Sequence, residues 1–522
     1  AADASLLGSL SIDGQGAGAG IGSDPYGASG NTGNAGSIDV EVAGNIQILK
    51  GGYIDASTFS AGDAGSVKVR AGSLSIDGQG LGAGITSGAY TGSTGRTGNV
   101  EVLATGNMVI LDGGYIDSST TSSSDAGAVK VSARNLTIDG HGYKTGISSD
   151  AAFGSTGKAG SVDVHATGEI AILGGGRIDT STRSSGQAGS VKVSAAGLSV
   201  DGQGFTRSGT GVFSNAEVLS AGQTGSVLVS ASDRITLANG GGLSVQNFAT
   251  VENPGALIPT TLTVSAPTIL LKDAEITASS TGNVAASHVQ VDFSQRLSLD
   301  TSGITTSANQ GNGGSIHITG GKGMILLDNA QISTSVQGAA GNGGDIHLQA
   351  HTLIMNTGFI QANTAARNAS GGNVQIDVQA LVPSGDTLFI GGQTPYTFQP
   401  GVFSFNVIQA AAPTGVSGVV QISTPLLDIS GALTGFNVQL LDSGGLGHNP
   451  CRITGGSSLV QSGRGGLAPF ARDLLGPLRG VHDQGVPGNV MTVGGLLPSL
   501  PDDPSYFSAS WRCANDGQTP RS

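Results

Sequence analysis

Apolar and polar residues alternate along this chain in short bursts, and the bursts return at a fixed interval. Residues 188–204, AGSVKVSAAGLSVDGQG, hold two of them, at 190–193 and 198–200. Period-two alternation predicts half-buried strands. Gly197 precedes the second burst, and Asp201-Gly202 ends it. Asp-Gly predicts a turn, because Asp bonds its own backbone and Gly accepts positive φ. With a third burst at 211–213, the unit reads strand, bend, strand, turn, strand.

The unit repeats. The signature x-G-[SN]-[VI]-x-[VI], or a close variant, begins at Ala35, Ala64, Thr97, Ala126, Ala159, Ala188 and Thr224, at intervals of 29, 33, 29, 33, 29 and 36 residues. LSIDGQG, LTIDGHG or LSVDGQG begins at Leu10, Leu74, Leu136 and Leu198, and GGYID or GGRID begins at Gly51, Gly113 and Gly175, 62 residues apart. Two unlike units of about 31 residues therefore alternate. The period continues with more drift at Pro259, Ala286, Gly313, Gly343, Gly371 and Ser417. Thirteen strand starts and a partial unit before the first predict about 14 turns of a solenoid. Three strands per unit, Gly-rich turns and no helix-forming stretch predict an all-β parallel β-helix rather than a propeller, whose blades need four strands.

The alternation assigns sides. Ile38/Val40, Val67/Val69, Val100/Val102, Val129/Val131, Val162/Val164 and Val191/Val193 are the expected inward column of small β-branched residues. The outward position between them reads Asp39, Lys68, Glu101, Lys130, Asp163, Lys192. The sign changes at every unit, as parallel in-register stacking favours.

Composition narrows the picture. The 522 residues include 89 Gly, with only 11% charged and 4% aromatic residues, unlike a compact multi-domain enzyme. The recurring alternation argues against disorder. The net charge of −13 comes without a basic run, so nucleic acid is not an expected partner. No apolar run reaches the 18 residues of a membrane-spanning helix. Ala1 starts in mid-pattern, which suggests a processed piece or fragment with its targeting segment upstream.

Candidate chemistry is sparse, and no catalytic residue, metal ligand or cofactor is expected. Asp13, Asp77, Asp139 and Asp201 recur every second unit, as do Asp55, Asp117 and Asp179. Both sets read as turn residues, because they are the repeat itself rather than a break in it. His317 and His347 share an outward position on adjacent turns, but two imidazoles alone make a poor metal site. Residues 1–442 are assigned to the β-helix. Within it, 381–416 is the longest interruption and the richest in aromatics. Its Phe389, Tyr396, Phe398, Phe403 and Phe405 form a candidate interaction loop, or else a lid over the solenoid's apolar end. Residues 443–522 are assigned to an irregular C-terminal cap, since an open solenoid end exposes strand edges. Cys451 and Cys513 form a disulfide if the chain is secreted; free thiols or pairing with another chain are the alternatives.

The repeat units, followed by Cys451 and GSSLVQSGRGGLAP with Gly463, Arg464, Gly465, Gly466 and Leu467, resemble filamentous-haemagglutinin-like exoproteins of two-partner secretion in Gram-negative bacteria. The resemblance covers nearly the whole chain, without the N-terminal secretion domain. It implies a right-handed β-helix exported through an outer-membrane transporter barrel. The product would be secreted or held at the cell surface, working as a non-enzymatic adhesin-like rod. The receptor, whether host cell, inert surface or glycan, stays open. It also makes the Cys pair a candidate tether. The alternative is a polysaccharide-active lyase or hydrolase on the same fold.

Overall fold

The computed structural model describes residues 2–6, 8–23, 33–205, 209–218, 220–384, 387–399, 401, 405–424 and 489–492. It is a parallel β-solenoid of about 12 turns. Among the described residues the only helical element is a 3₁₀ turn at Pro254–Ala256. The solenoid unit runs to Pro425 with Asp483–Met491 added. The expected boundary at 442 lies outside the described residues. So do the second and third strands of the last turn in the 14 counted above.

Three strands make a turn. Val100–Ala104, Asn107–Leu111 and Gly114–Asp117 form one; Val129–Ala133, Asn135–Asp139 and Thr145–Ser148 form the next. We call these positions the first, second and third faces. Each strand pairs in parallel with its counterparts one turn away: Val129 with Val100 and Val162, Leu136 with Met108 and Ile170, Ile147 with Ile116 and Ile178. The predicted inward column on the first face is at most 2% exposed from Ile38 to Val193. β-branched residues fill a narrow interior with little rotamer loss on a pleated surface.

The predicted charge column is in register: Asp39 faces Lys68, Lys68 faces Glu101, Glu101 faces Lys130, and Lys130 faces Asp163. Lys68 Nζ lies 3.4 Å from Glu101, while Asp39 is taken by Arg70 at 3.2 Å. The first two faces are joined more smoothly than the sequence predicts. Val67–Asp77 and Val191–Asp201 are continuous strands, and at Ala195/Gly197 a register shift, rather than a strand break, redirects the chain.

The corners explain the small residues. Between the second and third faces, Asp13, Asp77, Asp139 and Asp201 each accept a hydrogen bond from the backbone N–H two residues on. The recipient residues, Gln15, Gln79, His141 and Gln203, have φ between 42° and 50°. These are Asx turns holding left-handed residues. Between the third and first faces, glycines stack on one another. A side chain at Gly98, Gly127 or Gly160 would run into the carbonyl of the glycine one turn away. Buried hydroxyls close the same corner from inside. Ser118 Oγ donates to Gly98 O at 2.6 Å, Ser149 Oγ to Gly127 O at 2.5 Å, and Thr180 Oγ1 to Gly189 O at 2.8 Å.

Candidate functional site

From Asp39 to Lys192 the first face carries charges of alternating sign, but the third face is built differently. Its outward column reads Gly20, Tyr53, Gly84, Tyr115, Gly146, Arg177, Gly211 and Gly242. A large planar side chain on one turn has glycine on the turns either side. The Tyr53 ring lies over Gly20 and the Tyr115 ring over Gly84, in space that a Cβ would fill. The alternation of two unlike units is thus a packing rule: the ring of one turn needs the bare backbone of the next.

A second row runs beside the first, at the corner after the Asx turns. Leu81, Tyr143 and Phe205 follow the turns of alternate units and are 60%, 51% and 41% exposed. Each reaches back across the tight turn between them. Leu81 approaches Gly16, Tyr143 approaches Gly80, and Phe205 approaches Gly142.

Acidic groups line the other edge of the third face. Asp117 accepts from the N–H and hydroxyl of Ser119 and, at 2.7 Å, from the hydroxyl of Ser148 on the next turn. Asp179 accepts from Ser181 in the same way and binds Arg177 Nη2 at 2.6 Å. Arg177 stacks over the Phe213 ring, 5.0 Å from its centroid. The sequence reading of these aspartates as Asx-turn residues agrees with this geometry. Tyr115 sits among them. Burial pushes its hydroxyl up to about 12, with Asp55 and Asp117 adding to the effect.

Asp150 breaks the pattern. In its column the neighbouring turns carry Gly88, Ser119, Ser181 and Asn215. Asp150 is 8% exposed, its Oδ1 has no hydrogen-bond partner, and its Oδ2 lies 3.7 Å from Lys144 Nζ. Burial, then the charge of Asp179, pushes this carboxyl up to about 7. Asp150 belongs to none of the repeat motifs. The signal was available: among the described residues of a column of glycine and uncharged polar side chains, it is the one acid.

Beyond Phe213 the face opens into a groove of about 500 Å³. Its lining includes Gly242, Gly303, Glu275 and Gln331, with Phe213 and Phe398 among its walls. Phe398 belongs to the aromatic-rich segment, which is not a loop throughout. Val374–Pro383 runs along the first face and on into the second, and Phe405–Gln409 is a rung of the third face, paired with the 359–361 part of Ile346–Gln361. Thr387–Ile390 pairs with the opposite side of that rung. The chain therefore moves outward first, then returns to fill the rung it skipped. Phe389, Tyr396, Phe398 and Phe405 gather around this reversal on buried Phe359. Phe359–Phe398 and Phe359–Phe405 centroids are 5.2 and 5.5 Å apart, and Phe389–Tyr396 4.8 Å. Four of the five candidate aromatics are thus brought together, Phe398 alone lining the groove.

Phe403, Cys451, Cys513 and the tail motif Gly463, Arg464, Gly465, Gly466 and Leu467 lie outside the described residues. His317 and His347 stack at 5.5 Å, and His347 Nε2 approaches Asp377 at 3.5 Å. Among the described residues no group of three or more His, Cys, Asp or Glu is placed to hold a metal ion. None of their helices is long and apolar enough to cross a membrane. Comparison with family models, curated proteins and solved structures finds no match.

Proposed function

We propose that this chain is a non-enzymatic, adhesin-like β-solenoid of the filamentous-haemagglutinin-like type. It is exported through a partner outer-membrane barrel and presented outside the cell of a Gram-negative bacterium. The observation that supports this most is the division of labour between faces. The first face carries self-complementary charge. The third carries two rows of apolar and planar side chains, an open groove and an aromatic cluster. A repetitive surface of that kind suits many weak contacts that add through multivalency. The Gly-rich, low-charge composition and the tail motif support the export route. The test is antibody raised against residues 33–205, applied to intact producing cells and to their medium. Labelling before permeabilisation, or antigen in the medium, is the expected result; antigen confined to the cytosolic fraction overturns the proposal.

Asp150 favours a second reading, a polysaccharide-cleaving enzyme. A carboxyl that keeps its proton near neutrality beside the second carboxylate of Asp179 is how glycosidases divide acid from base. Release of new reducing ends from a polysaccharide, abolished by Asp150→Asn, would establish that reading over the first.

A further inference from the structure

The third face carries one large planar or apolar group per turn over six turns. Tyr53, Tyr115 and Arg177 stand on alternate turns, and Leu81, Tyr143 and Phe205 follow the turns between. Turns stack at about 4.8 Å, so the groups within a row recur at about 9.6 Å. The first spacing is close to the length of one hexose in an extended β-1,4-linked chain, and the second to the disaccharide that restores its orientation. Resting on the reading just given, we propose that this face is a track for an extended, uncharged β-1,4-linked polysaccharide lying parallel to the solenoid axis.

Three observations select that occupant. The groups recur turn after turn along one direction, which suits a linear polymer rather than a compact molecule. The exposed rings of Tyr143 and Phe205 offer apolar contact to the C–H faces of sugar rings, with the partly buried Tyr53, Tyr115 and Arg177 forming the floor beside them, while Asp117, Ser148 and Lys144 offer acceptors and donors to hydroxyls. Charge excludes the anionic polymers: the net charge is −13, and the acids of this edge outnumber Arg177 and Lys144. The track continues into the groove, where Gly242 and Gly303 leave room for rings to lie against bare backbone. A second copy of this chain has the same pitch, but it would present the same acidic edge to itself.

The test is titration of the full chain with cellohexaose and chitohexaose, with the trimers and a heparin hexasaccharide as comparisons. At least one uncharged hexamer is expected to bind, its trimer at least tenfold more weakly, and heparin not at all. Tyr143→Ala with Phe205→Ala is expected to weaken hexamer binding at least tenfold. Both side chains are about half exposed, so an unchanged melting curve separates lost contact from lost fold. Failure of both hexamers to bind, equal binding of trimer and hexamer, preference for heparin, or concentration-dependent pairing of the chain through these residues overturns the track. Surface labelling with no glycan binding sinks only the track. Glycan binding by an antigen confined to the cytosol sinks only the export reading.

Discussion

Asp150 is a single buried carboxyl that ties the stability of the solenoid to pH. Burial and the Asp179 charge raise its carboxyl from 3.8 to about 7. A group whose folded pKa is raised contributes its full stability below the unfolded value and loses it as pH rises through the folded one. The solenoid is therefore expected to weaken between about pH 4 and pH 7 on account of this residue, which is acidic stabilisation rather than the usual acid lability. Asn215 occupies the same column two turns on, with its Oδ1 satisfied by Ser244 and Gln246, so an amide fits there. Asp150→Asn is expected to raise stability at pH 8 by on the order of 1–3 kcal/mol and to change it little at pH 4. Urea titrations at the two pH values measure this. Equal effects at both would mean that the ionised form carries no penalty.

The corner glycines set a different constraint, one of contact rather than charge. Each approaches the backbone of the turn beside it, so any side chain must push two turns apart and break the hydroxyl bonds behind them. Gly127→Val is expected to cost 3 kcal/mol or more, about the value for other strained or overpacked sites, while Gly92→Ala, open on every side, costs only its left-handed backbone strain. Thermal unfolding of the pair separates the two costs. The charge column predicts less. Lys68 and Glu101 are 38% and 49% exposed, so Lys68→Glu is expected to cost under about 1 kcal/mol; adding Glu101→Lys does not recover it, because the new glutamate still faces Asp39 and the new lysine faces Lys130. These columns were legible in the sequence because stacking copies each position onto the next turn: the valines, the sign alternation and the Asx aspartates all follow from spacing. The reversal at 387–409 was not legible. Its strands have ordinary patterning, and only the pairing order reveals that one was laid down before the rung beneath it. The Tyr–Gly alternation was visible as two unlike units, but its reason, ring over bare backbone, needs the register.

A solenoid in which each turn touches mainly its two neighbours stores stability as a sum of adjacent contacts. Val129 pairs with Val100 and Val162, and the next contacts in the column belong to those residues and not to it. Damage should then spread by rungs. Val164 is fully buried in the first-face column, between Val131 and Val193. Val164→Asp places an unpaired charge there and is expected to melt its own turn and destabilise its neighbours. Amide exchange should report fast exchange over Val162–Ala166 and intermediate exchange over Val129–Ala133 and the start of Val191–Asp201. Near-native protection should persist in Ile346–Gln361, several turns away. Uniform loss of protection along the whole solenoid would show instead that the turns fold as one cooperative block. Long side chains spanning two turns, such as Tyr143 reaching Gly80, would then be what couples them.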